Sequence, residues 1–208
     1  MPLYKTISVN SQTTVKIWKI EESYKDLLSP LNLREESSRR VNKMKSELHQ
    51  RGFLSVRHLL AEFGYTDHDL YYDNNGKPHL KDGKHISITH SFTFSGVIIS
   101  DKKIGIDIEK QRDKITRIAN KFIDYEFNYL SNDDKSYVNK LTVIWCVKES
   151  LYKLYATPGL SFLQNILVIP FMIKDGETVS WIDYENKKER FTIHFIEFEG
   201  FTCAYALA

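Results

Sequence analysis

Apolar and polar side chains alternate along Thr13-Thr-Val-Lys-Ile-Trp-Lys-Ile20 and predict a strand, followed by a short helix over 21–28 that Pro30 and Asn32 punctuate. The period then lengthens. Over residues 35–63 the pattern is helical: Phe53, Val56, Leu59, Leu60 and Phe63 recur at spacings of three and four, and Gly64 supplies a C-terminal stop. Asn75-Gly76 and Asp82-Gly83 are turn signals, and strands are predicted over 85–89, 92–100 and 104–109. Short helices are expected over 115–123 and 126–130, then a second long helix over 133–155, ending before Pro158-Gly159. Strands over 166–173, 178–184 and 189–198 follow, with Asp175-Gly176 as a turn, and a last short strand covers 203–207. Each half thus reads as one long helix followed by antiparallel strands. The order predicts an α+β fold of two similar halves, 1–101 and 102–208, closely packed without a Pro-, Gly- or Ser-rich linker.

Composition narrows the class. With 42% hydrophobic and 27% charged residues in 208, the chain can build a substantial core and is not disordered. The 29 basic and 27 acidic side chains leave +2, which excludes a strongly basic nucleic-acid binder but leaves room for a local basic groove around a phosphorylated small molecule. Cys146 and Cys203 have no partner at ligand spacing, so neither a disulfide framework nor a zinc site is expected. The N-terminus lacks a signal-peptide pattern, and no apolar run approaches the ~18 residues of a membrane span. A cytoplasmic protein without membrane or nucleic-acid partners is expected.

Three stretches carry candidate chemistry. In Ile104-Gly-Ile-Asp-Ile-Glu109, strand alternation sends the isoleucines to one face and Gly105, Asp107 and Glu109 to the other. Two carboxylates side by side, next to a glycine that lets a ligand approach the backbone, suit Mg²⁺ or Mn²⁺; taken alone, an edge strand with a wet face explains the pattern better. In Trp145-Cys-Val-Lys-Glu-Ser-Leu-Tyr-Lys153, Glu149 and Lys153 share a helix face flanked by Trp145 and Tyr152. As a lone pair they form a surface salt bridge; with a third partner, Glu149 adds an oxygen to the cation and Lys153 holds a phosphate oxygen or tunes Glu149. The third stretch joins Gly76-Lys-Pro78, where Pro78 constrains the loop presenting Lys77, to Ile86-Ser-Ile-Thr-His-Ser91, where hydroxyls flank His90. A single histidine is more often structural. Arg51 and Arg57, six residues apart, do not share a helix face.

Together these stretches resemble the 4′-phosphopantetheinyl transferase superfamily. Ile-Gly-Ile-Asp-Ile-Glu and Trp-Cys-Val-Lys-Glu-Ser-Leu-Tyr-Lys look like its two signatures, and Gly-Lys-Pro and Ser-Ile-Thr-His-Ser resemble the extra motifs of its longer, monomeric Sfp-type branch. The resemblance covers about residues 45–165, and four ordered motifs are far more specific than any one. It implies a pseudo-twofold fold with a cleft between the halves. It also implies transfer of phosphopantetheine from coenzyme A to a serine of an apo acyl or peptidyl carrier protein, releasing adenosine 3′,5′-bisphosphate. By the same resemblance, Asp107, Glu109 and Glu149 hold Mg²⁺, with Mn²⁺ as an alternative, and Glu149 and Lys153 are catalytic. Arg57, Lys77, Pro78, Thr89, His90 and Lys153 contact coenzyme A, with Arg51 and Lys148 as further contacts. Thr89 stands where the family commonly has Ser, and Cys146 reads as a buried packing residue. The rival readings are a Mg²⁺-dependent phosphohydrolase and a non-catalytic coenzyme A or carrier-protein binding module. For carrier docking, the basic early helices or the 117–121 region are candidates, against the plainer reading of a solvated basic face.

Overall fold

The computed structural model describes residues 3–208. The chain divides into two compact units, Met1–Lys102 and Lys103–Ala208. Each unit sets one long helix against an antiparallel sheet, the α+β fold of mixed helix and antiparallel strand that the order of elements predicted. No helix among the described residues is long and apolar enough to cross a membrane.

The first unit contains β1 (Leu3–Asn10), β2 (Thr13–Lys19), α1 (Tyr24–Leu28), α2 (Glu35–Lys43), α3 (Glu47–Glu62), β3 (Leu70–Tyr72), β4 (Pro78–Leu80), β5 (His85–Ser91) and β6 (Phe94–Ser100). Its four-stranded sheet has the order β1-β2-β6-β5, and β3 and β4 form a separate small hairpin. Leu54, Val56, Leu59 and Leu60 of α3 pack with Trp18, Ile86, Val97 and Ile99 of the sheet to make the core. The helical pattern over 35–63 resolves into two helices, because Met44 and Ser46 are extended. The break has a local cause. Val41 is the last core anchor of α2, and its carbonyl, past the end of the regular helix, accepts from Met44 N and from Gln50 Nε2, both at 3.2 Å. The strand β1 was not predicted: it is an edge strand with mostly exposed side chains, so its alternation is faint.

The second unit contains β7 (Ile104–Lys110), 3₁₀ turns over Asp113–Lys121 and Tyr125–Asn128, α4 (Tyr137–Tyr155), α5 (Phe162–Asn165), β8 (Ile166–Val168), a 3₁₀ turn Ile173–Asp175, β9 (Glu177–Tyr184), β10 (Lys187–Phe198) and β11 (Phe201–Leu207). The sheet order is β7-β11-β10-β9-β8. Its core joins Leu141, Ile144, Val147 and Leu151 of α4 to Ile193, Phe195, Ala204 and Ala206 of the sheet. The predicted strand over 166–173 stops at Val168 because Pro170 cannot donate to the ladder. The strand β10 begins at Lys187, earlier than predicted, because Glu185 and Asn186 both take positive φ (50° and 62°) and turn the chain in two residues. α4 starts only at Tyr137, since the Asp134 carboxylate collects Ser136 N, Ser136 Oγ and Lys140 Nζ and holds the preceding residues in a turn.

Candidate active site

The strand β7 and the helix α4 meet at backbone distance. A Cβ placed on Gly105 would lie 1.8 Å from the Ser150 carbonyl oxygen, so only a hydrogen fits there. The glycine expected to admit a ligand therefore admits the helix instead, because the α4 backbone occupies the space beside it. Ser150 is buried, and its hydroxyl lies 2.7 Å from the Cys146 carbonyl and 2.9 Å from the Ala204 carbonyl, joining α4 to β11. Cys146 is fully buried as expected of a packing residue, and burial pushes its thiol well up, away from any nucleophilic role.

This approach brings the β7 carboxylates to the last turns of α4. Lys153 Nζ donates to Asp107 Oδ1 at 2.7 Å and to the Ile106 carbonyl at 2.9 Å. The Asp107 side chain is 7% exposed and that of Lys153 28%. Glu149 lies one turn before Lys153. Burial pushes its carboxyl up, the negative charge of Asp107 adds to that, Lys153 opposes it and Glu109 adds again, bringing it to about 7. Burial alone would lower the Lys153 ammonium, but Asp107 and Glu149 outweigh it and hold it above its ordinary value. Asp107, Glu109, Glu149 and Lys153 thus share one electrostatic neighbourhood, with three carboxylates against one ammonium. That donor set, hard oxygens with an excess of negative charge, fits a small divalent cation. Among the described residues no three acidic, His or Cys side chains stand as a preformed metal cage. Trp145 and Tyr152 flank Glu149, and the Phe162 ring packs edge-on between them, with centroids at 5.8 and 5.6 Å.

Lys148 does not share this neighbourhood. Its side chain is 0% exposed and pairs with Glu126 Oε1 at 2.8 Å. It also donates to the Phe122 and Phe162 carbonyls at 2.7 and 3.0 Å, so its three N–H groups are all committed inside the unit. The expected coenzyme A contact from Lys148 is corrected to an internal anchor. Glu126 in turn accepts from the backbone N–H groups of Val168 and Asp124. Sequence reasoning passed over Glu126 because what makes it a counter-charge is distant: Lys148 lies 22 residues and Val168 N 42 residues further along.

In the first unit, the His90 ring lies against α3. A Cβ on Gly52 would sit 3.0 Å from His90 Nδ1, and the His49 ring is 6.5 Å from the His90 ring. Thr89 is buried beside it, whereas Lys77 and Pro78 are half-buried where the β3–β4 loop runs into β4. Arg51 and Arg57 diverge as their spacing requires: Arg51 Nη2 donates to the Ile20 carbonyl at 3.1 Å, while Arg57 points into the core. Arg57 Nε donates to Asp67 Oδ1 at 3.0 Å and Nη1 to the Phe53 carbonyl at 3.2 Å, with the guanidinium 3.5 Å from the Phe53 ring centroid. Its Nη2 is buried with no hydrogen-bond partner among the described residues. Asp67, also unforeseen, accepts from Arg34 N and Ser37 Oγ. Burial alone would raise its carboxyl, but those two donors and Arg57 outweigh burial and hold it below its ordinary value.

The model of the 4′-phosphopantetheinyl transferase superfamily matches residues 103–206, half of the chain and nearly the whole second unit. The chain belongs to this superfamily. A 4′-phosphopantetheinyl transferase, gsp, of Aneurinibacillus migulanus is 26% identical over 198 residues, covering 93% of this chain and 72% of that protein. The relative extends the similarity across the first unit, which the family model does not reach. The protein is thus a phosphopantetheinyl-transferring enzyme with the superfamily's α+β fold.

Proposed function

We propose that this transferase moves the 4′-phosphopantetheine group of coenzyme A to a serine of an apo acyl or peptidyl carrier protein, with Mg²⁺, as a cytoplasmic Sfp-type monomer. The observation that carries this reading is the gathering of Asp107, Glu109 and Lys153 around Glu149 where β7 meets α4. In it the serine Oγ attacks the β-phosphorus, the bond to the bridging pyrophosphate oxygen breaks, and adenosine 3′,5′-bisphosphate leaves. The three carboxylates would hold Mg²⁺, with Mn²⁺ as an alternative, and the cation supplies charge neutralisation at the pyrophosphate. Glu149 takes the serine proton, directly or through a water. The Lys153 ammonium, kept charged by its carboxylate neighbours, holds a phosphate oxygen.

Lys77, Pro78, Thr89 and His90 contact coenzyme A in this reading, His90 near the 3′-phosphate. Arg57 and Arg51 are further contacts in this reading. An open groove of about 560 Å³ in the second unit, lined by Arg117, Asn120, Phe127, Asn132 and Tyr137, supports carrier docking near 117–121. Phe127 there is 48% exposed, an apolar contact beside a basic one.

The test incubates the protein with coenzyme A, Mg²⁺ and apo carrier protein and weighs the carrier. A gain of one phosphopantetheine is expected; adenosine bisphosphate released without that gain would make the enzyme a phosphohydrolase. Glu149→Gln should abolish the gain while circular dichroism stays that of the parent, and parental turnover in that variant would remove Glu149 from the site.

A further inference from the structure

The hairpin that carries Lys77 is too small to hold itself. β3 and β4 are three residues each, and they form a two-stranded sheet on their own. Such hairpins are marginal without additional support. Pro78 weakens this one further, because it pairs with Tyr72 yet has no N–H to donate. The loop between the strands, 73–77, must therefore be fixed by something other than its ladder.

Asp73 supplies that support. Its backbone N–H donates to the Lys77 carbonyl at 3.0 Å, and its own carbonyl accepts from Gly76 N at 3.0 Å. Inside this ring its carboxylate Oδ1 accepts from the backbone N–H groups of Asn75 and Lys77, both at 2.9 Å. The other oxygen, Oδ2, lies 3.0 Å from His79 Nε2 across the hairpin, and the His79 ring stacks on Tyr71 at 5.3 Å. One carboxylate thus ties the tip of the loop, the Lys77 backbone and the returning strand together. The His79 contact and the two backbone donors also hold the Asp73 carboxyl below its ordinary range, so it accepts as a carboxylate at neutral pH.

We propose that Asp73 is a positioning residue for coenzyme A binding: its carboxylate fixes the backbone of the 73–77 loop and so the place from which Lys77 meets the ligand. This rests on the reading of Lys77 given above. Asp73 itself touches no substrate, and it acts only by removing loop conformers that coenzyme A would otherwise have to select against. Asparagine keeps the Oδ1 acceptor for the Asn75 and Lys77 N–H groups and turns only the Oδ2 acceptor facing His79 into an NH₂ donor, so it preserves most of the effect.

The experiment measures KM for coenzyme A, KM for the carrier, kcat and calorimetric coenzyme A affinity in the full-length protein and in Asp73→Ala, Asp73→Asn, Lys77→Ala and the Asp73→Ala/Lys77→Ala double variant. Asp73→Ala should weaken coenzyme A binding by about 3–10-fold, the loss of one or two hydrogen bonds, with kcat at saturation and the carrier KM near parental values. Asp73→Asn should recover most of that loss. The double variant should bind no more weakly than Lys77→Ala alone, since a residue acting through Lys77 has nothing left to position. If Lys77→Ala weakens binding while Asp73→Ala does not, or the two losses add fully, the positioning role is overturned and Lys77 stands. Lys77→Ala binding like the parent overturns the reading of Lys77 and this proposal with it.

Discussion

The two long helices are held in their units by opposite arrangements of the same materials, a glycine against the sheet and a buried cation–carboxylate pair to a connecting segment. In the second unit the glycine is on the strand, at Gly105, and what it meets is the α4 backbone. In the first unit the glycine is on the helix, at Gly52, and what it meets is a side chain, the His90 ring. The pairs differ in the same sense. Lys148 commits every N–H it has, and it is the one cation paired with Glu126 among the described residues. Arg57 leaves Nη2 without a hydrogen-bond partner among the described residues, and Asp67 keeps the Arg34 backbone N–H, the Ser37 hydroxyl and the Arg34 guanidinium at 3.7 Å besides. The comparison teaches that α4, which carries Glu149 and Lys153, is locked where it must hold side chains at fixed distances. The α3 surface is built from contacts that can give.

The comparison predicts a graded series of losses. Lys148→Ala should cost the most, about 3–5 kcal/mol in urea unfolding, because it strands the Glu126 carboxylate in the core. Lys148→Met combined with Glu126→Gln should restore much of that loss; no recovery in the double variant would show that packing and not the pair matters. Gly105→Ala comes next, at about 3 kcal/mol, with transfer activity lost in whatever remains folded, since the helix must lift off β7. A soluble, active Gly105→Ala enzyme would mean that α4 is not locked.

Arg57→Ala should cost less, about 1–3 kcal/mol, because Asp67 retains other donors. It should also change the acid limb of stability. Asp67 is held below its ordinary value when folded, so its contribution is full above that value and is lost as pH falls through it toward the folded one. Removing Arg57 shrinks this contribution, and the Arg57→Ala curve should approach the parental curve in strong acid; parallel curves would take the pair out of the account. The smallest effect is expected at Gly52→Ala, within about 0.5 kcal/mol, where helix propensity gained offsets the shift forced on His90. Its signature is a weaker coenzyme A affinity without a matching loss of stability. A loss like that of Gly105→Ala would erase the contrast between the helices.

Much of this arrangement was legible in the sequence where the signal is local. The long helix α4, its Pro158-Gly159 stop and the alternation that places Asp107 and Glu109 on one face of β7 all follow from residues within a few positions of each other. What stayed hidden depends on distant partners. Asp67 and Glu126 look like ordinary loop acids, and only the fold makes them counter-charges for Arg57 and Lys148. Lys148 was misread for the same reason: a lysine beside Glu149 is taken for a site residue until Phe122 and Phe162 are seen around it. Gly105 was identified correctly as a point of close approach, but the sequence does not say that a helix is what approaches. The run Asp73-Asn-Asn-Gly-Lys did carry a signal for Asp73, since an aspartate opening a turn commonly accepts from the backbone two residues on.

The place of β11 in its sheet has a consequence for how the enzyme is made. It lies between β7 and β10, so the strand bearing Asp107 and Glu109 gains its sheet neighbour among the described residues when Phe201–Leu207 arrive. During synthesis the carboxylate strand leaves the ribosome early and waits, edge unpaired, until almost the whole second unit has followed it. Helices and local hairpins form meanwhile, but closing this pair is a long-range event and a slow one. The first unit, whose β2 pairs with β6 entirely within its own residues, is free to fold while the second is still being translated. The strand that bears Asp107 and Glu109 is therefore completed only after Phe201–Leu207 have been made, whereas the first unit can already hold its own sheet.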